Sequence, residues 1–336
     1  MTSDTSAAIA TAQEIADKLL FPAALDVDAG EMVPRSHLDA FAQAGLYGVV
    51  GPRRFGGLEL PMPAFCAIVE ALAGGCLTTT FVWIQHHTPV RALTASSNHS
   101  LCDEWLPRLC SGERRAGIAL GGLRAGSSQV IARPVEGGWL LDGDVPFVTG
   151  WGLIDVLYVA ARTPDNARVV SALVPAADAG GLSAERLTLL AANASSTVRL
   201  HISRLFVPAR LVVSDELYQP PAEYDGGGRP NGSLSLGVAA RCLSLLGPSA
   251  LDRELSARRD QLDQASDQTM AEARAAAVEL AQRASAALVV HSGSSSLFPR
   301  QHAQRLAREA VFLAVFGTRP AIKRALVRML AGSESM

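Results

Sequence analysis

The hydrophobic pattern of this chain changes its period twice, and those two changes constrain the fold more than any single motif. Residues 7–26 place apolar side chains at helical spacing, and helical patterns continue to about Arg115. From Ala116 the pattern becomes that of short strands separated by turns that contain glycine and proline. Helical spacing returns at Ser233 and persists almost to the end. The chain therefore runs from helices to strands and back to helices.

These changes predict an α+β multidomain protein. We expect an N-terminal α-helical domain over residues 1–115, a central β-barrel or β-sandwich domain over 116–222, and a C-terminal α-helical bundle over 233–333. A length of 336 residues is enough for two or three compact units with a sizeable core. The glycine and proline content of residues 220–232 is typical of a linker, which would end the β domain.

Within these domains the pattern predicts individual elements. Helices are expected at 62–74, 77–95 and 99–110, and Pro34 opens a further short helix. The run MAEARAAAVELAQRASAALVV is apolar on nearly every face, which places it in the middle of a helical bundle. The strand signals are AGIAL, SQVIARP, GWLLDG, VPFVTG, DVLYVAAR, RVVSALVP and TVRLHISRLFVP.

Charge and composition exclude several classes of function. Thirty basic and 32 acidic side chains give a net charge of -2, so there is no strong field for nucleic acid or anionic lipid. No run approaches the roughly 20 apolar residues that a membrane helix needs, and the first residues lack the apolar region of a signal peptide, so we expect a cytoplasmic protein without membrane partners. Five cysteines without a CxxC spacing favour buried free thiols over disulfides or a metal site.

Five local motifs stand in sequence along almost the whole chain: VVGPRRFGGLELP, ALGGLRAGSS, GGWLLDGDVPFVTG (taken as a hairpin), RLFVPARLVV and RLAREAVFLAVFGTRPAIKR. In this order they resemble the acyl-CoA dehydrogenase family. The resemblance implies FAD bound between the β domain and the C-terminal bundle, usually across a subunit interface. It also implies acyl-CoA or a related thioester as substrate, a role in lipid metabolism, and a homodimer or homotetramer.

The resemblance also implies which residues bind the cofactor. In the family, a segment like ALGGLRAGSS wraps the flavin edge and the pyrophosphate; a glycine there lets the backbone approach, and a serine offers a hydroxyl and an N–H to an anion. Phe147 stands where the family has a tryptophan against the isoalloxazine ring. The implied cofactor-binding residues are Leu120, Gly121, Gly126, Ser127, Phe147, Val148, Thr149, Gly293 and Thr318.

The sequence departs from the family pattern around this cofactor site. The family's Arg followed by Gln-Phe-Gly is missing between Leu236 and Asp267, and Pro248 breaks the first C-terminal helix early, since an interior proline removes a hydrogen bond. We therefore expect a shortened four-helix bundle and a weakened affinity for FAD. The family's threonine, glutamate, proline and aspartate are replaced by Gly121, Gly122, Leu123 and Ser128.

The largest departure concerns the catalytic base. An ungapped alignment places Gly317 on the family's glutamate, and the alternative alignment deletes that glutamate. The family's reaction needs a carboxylate to take the α-proton of the thioester while a hydride leaves the β-carbon, and a positioned base contributes about a hundred- to ten-thousand-fold. No acid lies at Asn231 to Ser235, where some members hold the base, and Glu223 and Asp225 read as solvated loop acids. The catalytic residue is therefore unknown.

Other readings of the same residues remain open. The fold also serves flavin-dependent monooxygenases and oxidases, and a non-catalytic protein that binds acyl groups or pairs with an active subunit is a third possibility.

Of the pair His86-His87, we expect one histidine to face solvent or cap a helix. Arg305 and the pair Arg308-Glu309 are expected to tie helices together. Glu309 lies eight residues before Gly317, about 12 Å along a helix, which is too far for it to replace the base.

Overall fold

The computed structural model describes residues 3–120, 123, 130–178, 180–219 and 228–332. Its elements fall into three parts along the chain: helices, then one mixed β-sheet, then helices again. The predicted α, β, α fold class is confirmed. The limits of the three domains stay predictions.

The first part of the chain is helical. A π-helical turn at Ala16–Leu20 connects the first two helices, and its residues Ala16 and Leu20 are buried. The predicted short helix after Pro34 is present, and a left-handed glycine, Gly45, follows its end. The helices are α1 Ser3–Ile15, α2 Phe21–Ala29, α3 Arg35–Gln43, α4 Met62–Gly75, α5 Leu77–Ile84, α6 His87–Thr94 and α7 His99–Ser111.

The predicted helix at 77–95 is wrong as a single element, because the chain breaks between α5 and α6 at Gln85 and His86. Pro89 has no backbone N–H, so the carbonyl four residues earlier, that of Gln85, cannot receive its helical hydrogen bond. The Gln85 side chain instead turns back and donates to the carbonyl of Phe81 at 3.1 Å. Gln85 and His86 keep helical backbone angles across the break, so what is lost there is the regular hydrogen-bond pattern.

The middle part forms one eight-stranded sheet in the order β6-β7-β3-β2-β4-β5-β8, and β1 pairs with β4 off this path. Most pairs are antiparallel, whereas β1 and β4 run parallel. The strand signals missed β6 and β8 and divided β3 into two strands; the other strands match them. The strands are β1 Ala116–Ala119, β2 Ile131–Val135, β3 Gly138–Val148, β4 Val156–Arg162, β5 Arg168–Pro175, β6 Leu182–Arg186, β7 Val198–Pro208 and β8 Val212–Leu217.

The interpretation of GGWLLDGDVPFVTG as a hairpin of two strands is wrong. Its two halves form the single strand β3, which pairs along its length with β7. The register shifts between Leu141 and Gly143, so Asp-Gly-Asp makes an irregularity rather than a turn. Continuous pairing with one long neighbour outweighs the local turn preference of this tripeptide. The turn lies earlier, at Glu136-Gly137 between β2 and β3.

The last part is a helical bundle around α10. This helix packs against the other four helices of the region and buries twelve of its residues, which confirms its predicted central place. The first helix ends at Leu246, just before Pro248, as expected. The helices are α8 Gly228–Leu246, α9 Leu251–Gln264, α10 Met270–Ser292, α11 His302–Val315 and α12 Pro320–Ala331.

The two helical parts share one hydrophobic core, whereas the sheet has its own. The shared core runs through the contact of α4 with α8, where a methyl group placed on Gly74 would lie only 3.1 Å from the Gly237 carbonyl oxygen. Glycines at both positions let the helix backbones approach closely. All five cysteines are buried and free, as predicted. Within the described residues no helix has the length and apolar character to cross a membrane, and no cluster of metal-ligating side chains is present.

Candidate active site

The turn between α11 and α12 has the predicted form of a helix, a break and a second helix. The Phe316 amide closes α11 by donating to the Phe312 carbonyl at 2.9 Å. Gly317 then adopts a left-handed backbone with φ of 61°, which glycine reaches without the strain that a side chain brings. The Thr318 hydroxyl donates to the Val315 carbonyl at 3.0 Å and caps the end of the helix. Thr318 therefore supports the turn directly.

Three phenylalanine rings pack this turn against α5. The Phe81 ring lies edge-on to Phe312 at 5.1 Å and to Phe316 at 4.7 Å between centroids. Phe312 and Phe316 are nearly parallel to each other, with centroids 5.6 Å apart. Edge-to-face contacts of this kind add about 0.5–1.5 kcal/mol each beyond the buried area. The cluster fixes the backbone that leads into Gly317.

The end of β3 carries the predicted flavin-stacking residue. The Phe147 ring is 62% exposed, whereas Val148 beside it is fully buried in the sheet core. Alternation along the strand explains this difference, because successive side chains point to opposite faces. An exposed phenyl ring next to a buried strand end is a surface on which a flat aromatic ring can stack.

Thr149 belongs to a chain of buried hydroxyl groups. Its Oγ1 lies 3.2 Å from Thr197 Oγ1, which in turn lies 2.8 Å from Ser195 Oγ. Backbone bonds strengthen the link, since the Gly150 amide donates to the Ser195 carbonyl at 2.9 Å. Ser196 has a φ of 52°, an uncommon conformation for a residue with a side chain. The threonine is thus held by the loop before β7.

Helix α5 lies between the end of β3 and the α11–α12 turn. A methyl group placed on Gly150 would lie 3.4 Å from Val82 Cγ1, so the residue after Thr149 rests against α5. Phe81, the preceding residue of the same helix, holds Phe316. The structure therefore brings two of the predicted segments to one helix. Sequence reasoning missed Phe81, Ser195 and Thr197, because no motif links residues so far apart in the chain.

For the other predicted cofactor residues, no contact with α5 is described. Leu120 accepts a backbone hydrogen bond from Leu123 at 3.0 Å. Gly293 ends α10 with φ of 65°, and a methyl group added there would meet no atom within 4 Å. Outside the described residues lie Gly121, Gly126, Ser127, Glu223 and Asp225.

The carboxylate nearest in sequence to the turn is engaged elsewhere. Glu309 is buried and its Oε1 accepts from Arg305 Nη1 at 2.6 Å within α11. Burial raises the pKa of Glu309, against the pull of the arginine. The expectation that these two residues tie helices together is wrong, since they pair one turn apart on the same helix. Arg308 does link helices, through Asp28 of α2.

Both histidines of the pair are buried, so the expectation that one faces solvent is wrong, whereas the alternative that one caps a helix holds for His86 at the end of α7. His86 accepts at Nδ1 from the Ala116 amide at 3.0 Å, and its Nε2 lies 3.1 Å from the Leu109 carbonyl. This arrangement joins the end of α7 to the start of β1, and burial lowers the pKa of His86 to about 3. Burial lowers the pKa of His87 well below its usual value as well. Each ring is a neutral part of the core.

The described residues fit a planar aromatic cofactor at Phe147. The exposed ring offers a stacking face, and Val148 at the strand end is buried and pairs with Val198 of β7. Thr149 is only 7% exposed and its hydroxyl already has a protein partner, so its contribution is chiefly to hold that strand end.

The chain is similar to known proteins in part of its sequence and in its fold. Residues 2–113 match the family model of the acyl-CoA dehydrogenase N-terminal domain. The mitochondrial 2-methylacyl-CoA dehydrogenase of Solanum tuberosum is 27% identical over 180 residues, which cover 51% of this chain and 43% of that protein. The chain spans about half the length of the curated relatives that it matches first.

Solved structures resemble the chain over nearly its whole length. Butyryl-CoA dehydrogenase from Megasphaera elsdenii superposes with a TM-score of 0.81 at 16% identity and covers 99% of both chains. The structure of PigA with FAD and proline gives a TM-score of 0.83 at 20% identity and covers 98% of both chains. At such identities the likeness is one of fold.

Proposed function

We propose that this chain, whose residues 2–113 match the family model of the acyl-CoA dehydrogenase N-terminal domain and which has the acyl-CoA dehydrogenase fold, is an FAD-dependent oxidoreductase that binds an acyl thioester. The observation that carries the proposal is the meeting of two segments at α5. One segment ends in Phe147 and Thr149, and the other turns at Gly317. Contact of both segments with the same helix supports a single site that contains Phe147 and the turn at Gly317.

Each residue of this site has a specific part in the proposal. FAD, when bound, supplies a hydride acceptor. Phe147 would stack against its ring system, and Thr149 would hold that strand end in place through Thr197. The amide N–H of Gly317 would donate to the thioester carbonyl and stabilise the negative charge that develops when the α-proton leaves. The turn has no carboxylate to take that proton, so we expect slow dehydrogenation.

An anaerobic titration tests the proposal. Purified protein supplied with FAD should show a flavin absorbance band, and saturated acyl-CoAs of increasing chain length should perturb it and bleach it slowly. Gly317→Glu should bleach faster, by up to about a hundred- to ten-thousand-fold, because it restores a base. Gly317→Gln is the matched control, since it adds the same bulk and backbone strain without a carboxylate. A protein that takes up no FAD would contradict the proposal outright.

A second candidate is a flavin-dependent monooxygenase or oxidase of the same fold. The absence of a carboxylate from the sequence of the α11–α12 turn favours it, because such reactions need no base there. Bleaching by reduced nicotinamide or by a reductase, followed by oxygen uptake, would support this candidate. If this candidate is correct, Gly317→Glu should not raise the rate of oxygen uptake, because the reaction does not use a base at that position.

We also propose that the protein is a homodimer or homotetramer. Exposed apolar side chains lie together near α11: Val311 and Val315 one turn apart on the helix, and Leu190, whose carbonyl accepts from Arg308 at 2.9 Å. Apolar side chains exposed in a group mark contact surfaces in many proteins. Light scattering coupled to size exclusion measures the state, and a monomer at micromolar concentration would contradict this part of the proposal.

A further inference from the structure

Three buried hydroxyl groups form a network that leads from the loop before β7 to the end of β3. Thr197 lies in its middle, with its Oγ1 2.8 Å from Ser195 Oγ and 3.2 Å from Thr149 Oγ1. Exposure rises along this hydroxyl network, from 0% at Ser195 through 3% at Thr197 to 7% at Thr149. Within the part of the chain that the structure describes, neither Ser195 nor Thr197 makes another hydrogen bond through its side chain. The least buried end of the network is therefore Thr149.

The number of protons favours one direction for these hydrogen bonds. Each hydroxyl donates one hydrogen bond and can accept two, so three hydroxyls hold three protons, and the two contacts of the network use two of them. If the third proton stayed on Ser195 or Thr197, a buried donor would have no acceptor, which is costly. The direction that avoids this cost has Ser195 donating to Thr197 and Thr197 donating to Thr149. The proton of Thr149 is then left over.

The loop that carries Ser195 is joined to the segment after β3 by backbone bonds as well. Ala192 and Ser196 have left-handed backbones with φ of 56° and 52°, which residues with side chains adopt uncommonly. The Trp151 amide donates to the Ser196 carbonyl at 3.1 Å, beside the bond from Gly150 to Ser195. Strained backbone of this kind persists where surrounding contacts hold it. Because these backbone bonds do not depend on the hydroxyls, the two segments should stay in contact when one hydroxyl is removed.

The proton that is left over belongs to the residue two places after Phe147. That spacing puts side chains on the same side of an extended chain. We infer that Ser195 and Thr197 are positioning residues, which keep Thr149 as a hydrogen-bond donor toward the polar edge of the ring system stacked on Phe147. A hydroxyl that already accepts a hydrogen bond is a stronger donor. The inference rests on the proposed function, and it fits the isoalloxazine of FAD, whose carbonyl oxygens and unprotonated ring nitrogens are acceptors.

Two single substitutions test the direction without any cofactor. Thr149→Val removes the acceptor of Thr197 and leaves the Thr197 proton buried without a partner, whereas Ser195→Ala leaves no proton without an acceptor. We expect Thr149→Val to lower the melting temperature by about 2–4 °C more than Ser195→Ala does. Valine keeps the shape of threonine and alanine leaves a gap, so shape alone would give the opposite order. An equal or larger loss in Ser195→Ala would overturn the inference, because the Thr149 proton would then be used inside the network.

The affinity for FAD tests whether the ligand uses the free proton. Thr149→Val should raise the dissociation constant of oxidised FAD, measured by the change in flavin fluorescence, by about twofold to tenfold, the loss of one neutral hydrogen bond. Thr149→Ser keeps a hydroxyl and should remain near the unsubstituted value. Thr197→Val keeps the Thr149 hydroxyl but no longer orients it, so its effect should be smaller than that of Thr149→Val. Ser171→Ala is the matched control, since it breaks a hydroxyl pair with Ser214 at 2.6 Å between β5 and β8, and its dissociation constant should not change.

The outcomes separate this inference from the proposed function. If FAD binds and neither Thr149→Val nor Thr197→Val changes its dissociation constant, the inference is overturned while the proposed function stands. If the unsubstituted protein binds no FAD, the proposed function fails, and the order of the melting temperatures decides alone. In that case a larger loss in Thr149→Val supports a free proton at Thr149, and any other order overturns it.

Discussion

Halfway along α11 a carboxylate is buried against an arginine, whereas at the end of the same helix the chain turns through a glycine and carries no carboxylate. Glu309 and Arg305 lie in the core that the two helical regions share, and each is at most 2% exposed. Gly317 lies in a half-buried turn with a left-handed backbone. The contrast teaches that an acid near a site in sequence is not an acid available to it, because burial demands a partner that neutralises its charge.

The largest expected effect comes from breaking the buried pair. Glu309→Gln leaves the Arg305 charge buried without its partner, and we expect the free energy of unfolding to fall by about 3–5 kcal/mol. Glu272→Gln is the matched control in the same bundle, because its pair with Arg328 at 2.8 Å is exposed on both sides and contributes about 0–1 kcal/mol. Urea denaturation of both variants measures the difference. Equal losses would show that the two environments do not differ as the structure describes.

Acid should weaken the helical core through its histidines. His86 takes up a proton near pH 6.5 when the chain is unfolded, but its pKa is lowered to about 3 in the folded protein. Between these values the unfolded state binds more protons, so stability falls as the pH drops from about 6.5 towards 3 and does not change for this reason above pH 7. Replacing His86 with Gln should reduce the slope by up to about 1.4 kcal/mol per pH unit.

Urea denaturation at pH 7, 6, 5 and 4 measures that slope. His201→Gln is the control, because His201 is a partly exposed histidine of the sheet, with its Nδ1 2.5 Å from Asp144 Oδ1. An identical slope in the His86 variant and the unsubstituted protein would mean that His86 is not buried as a neutral ring.

The smallest expected effect concerns the turn itself. Gly317→Ala places a Cβ at φ of 61°, and we expect a loss of about 1–2 kcal/mol in the free energy of unfolding. Gly317→Asn is the control, because asparagine visits this backbone region more readily, and it should lose less. We expect the melting temperature to be highest for the unsubstituted protein, lower for Gly317→Asn and lowest for Gly317→Ala. An alanine variant as stable as the glycine protein would show that the turn does not hold this conformation.

Local periodicity predicted most of the elements, because burial of one face places apolar residues about every 3.6 residues in a helix and every 2 residues in a strand. The central place of α10 followed from its apolar residues on every face, and the end of α8 followed from Pro248. The failures have physical reasons too. Residues 138–148 contain turn-forming residues, yet pairing with β7 along the whole strand keeps them extended. The break before α6 depended on one missing N–H at Pro89, within a segment that is otherwise helical in pattern.

The candidate site was only partly accessible from the sequence. The resemblance of short motifs pointed to Phe147 and to Gly317, but it could not show that α5 lies against both segments. Phe81 has no motif of its own, and its contact with Phe316 joins residues from opposite ends of the chain. In the sequence, Arg162 is only the last residue of a predicted strand. Its contacts with Leu123 and Tyr218 are visible in the structure alone.

The three-part order of helices and strands and the lack of a carboxylate at the α11–α12 turn can be read from the sequence, because both are properties of neighbours along the chain. That Glu309 is held by Arg305, and that both histidines are neutral and buried, follows from the packing of the folded chain. It also decided that Phe147 keeps an open ring. Burial and partners depend on which elements pack together, and that packing is set by the sum of many long-range contacts rather than by any local pattern.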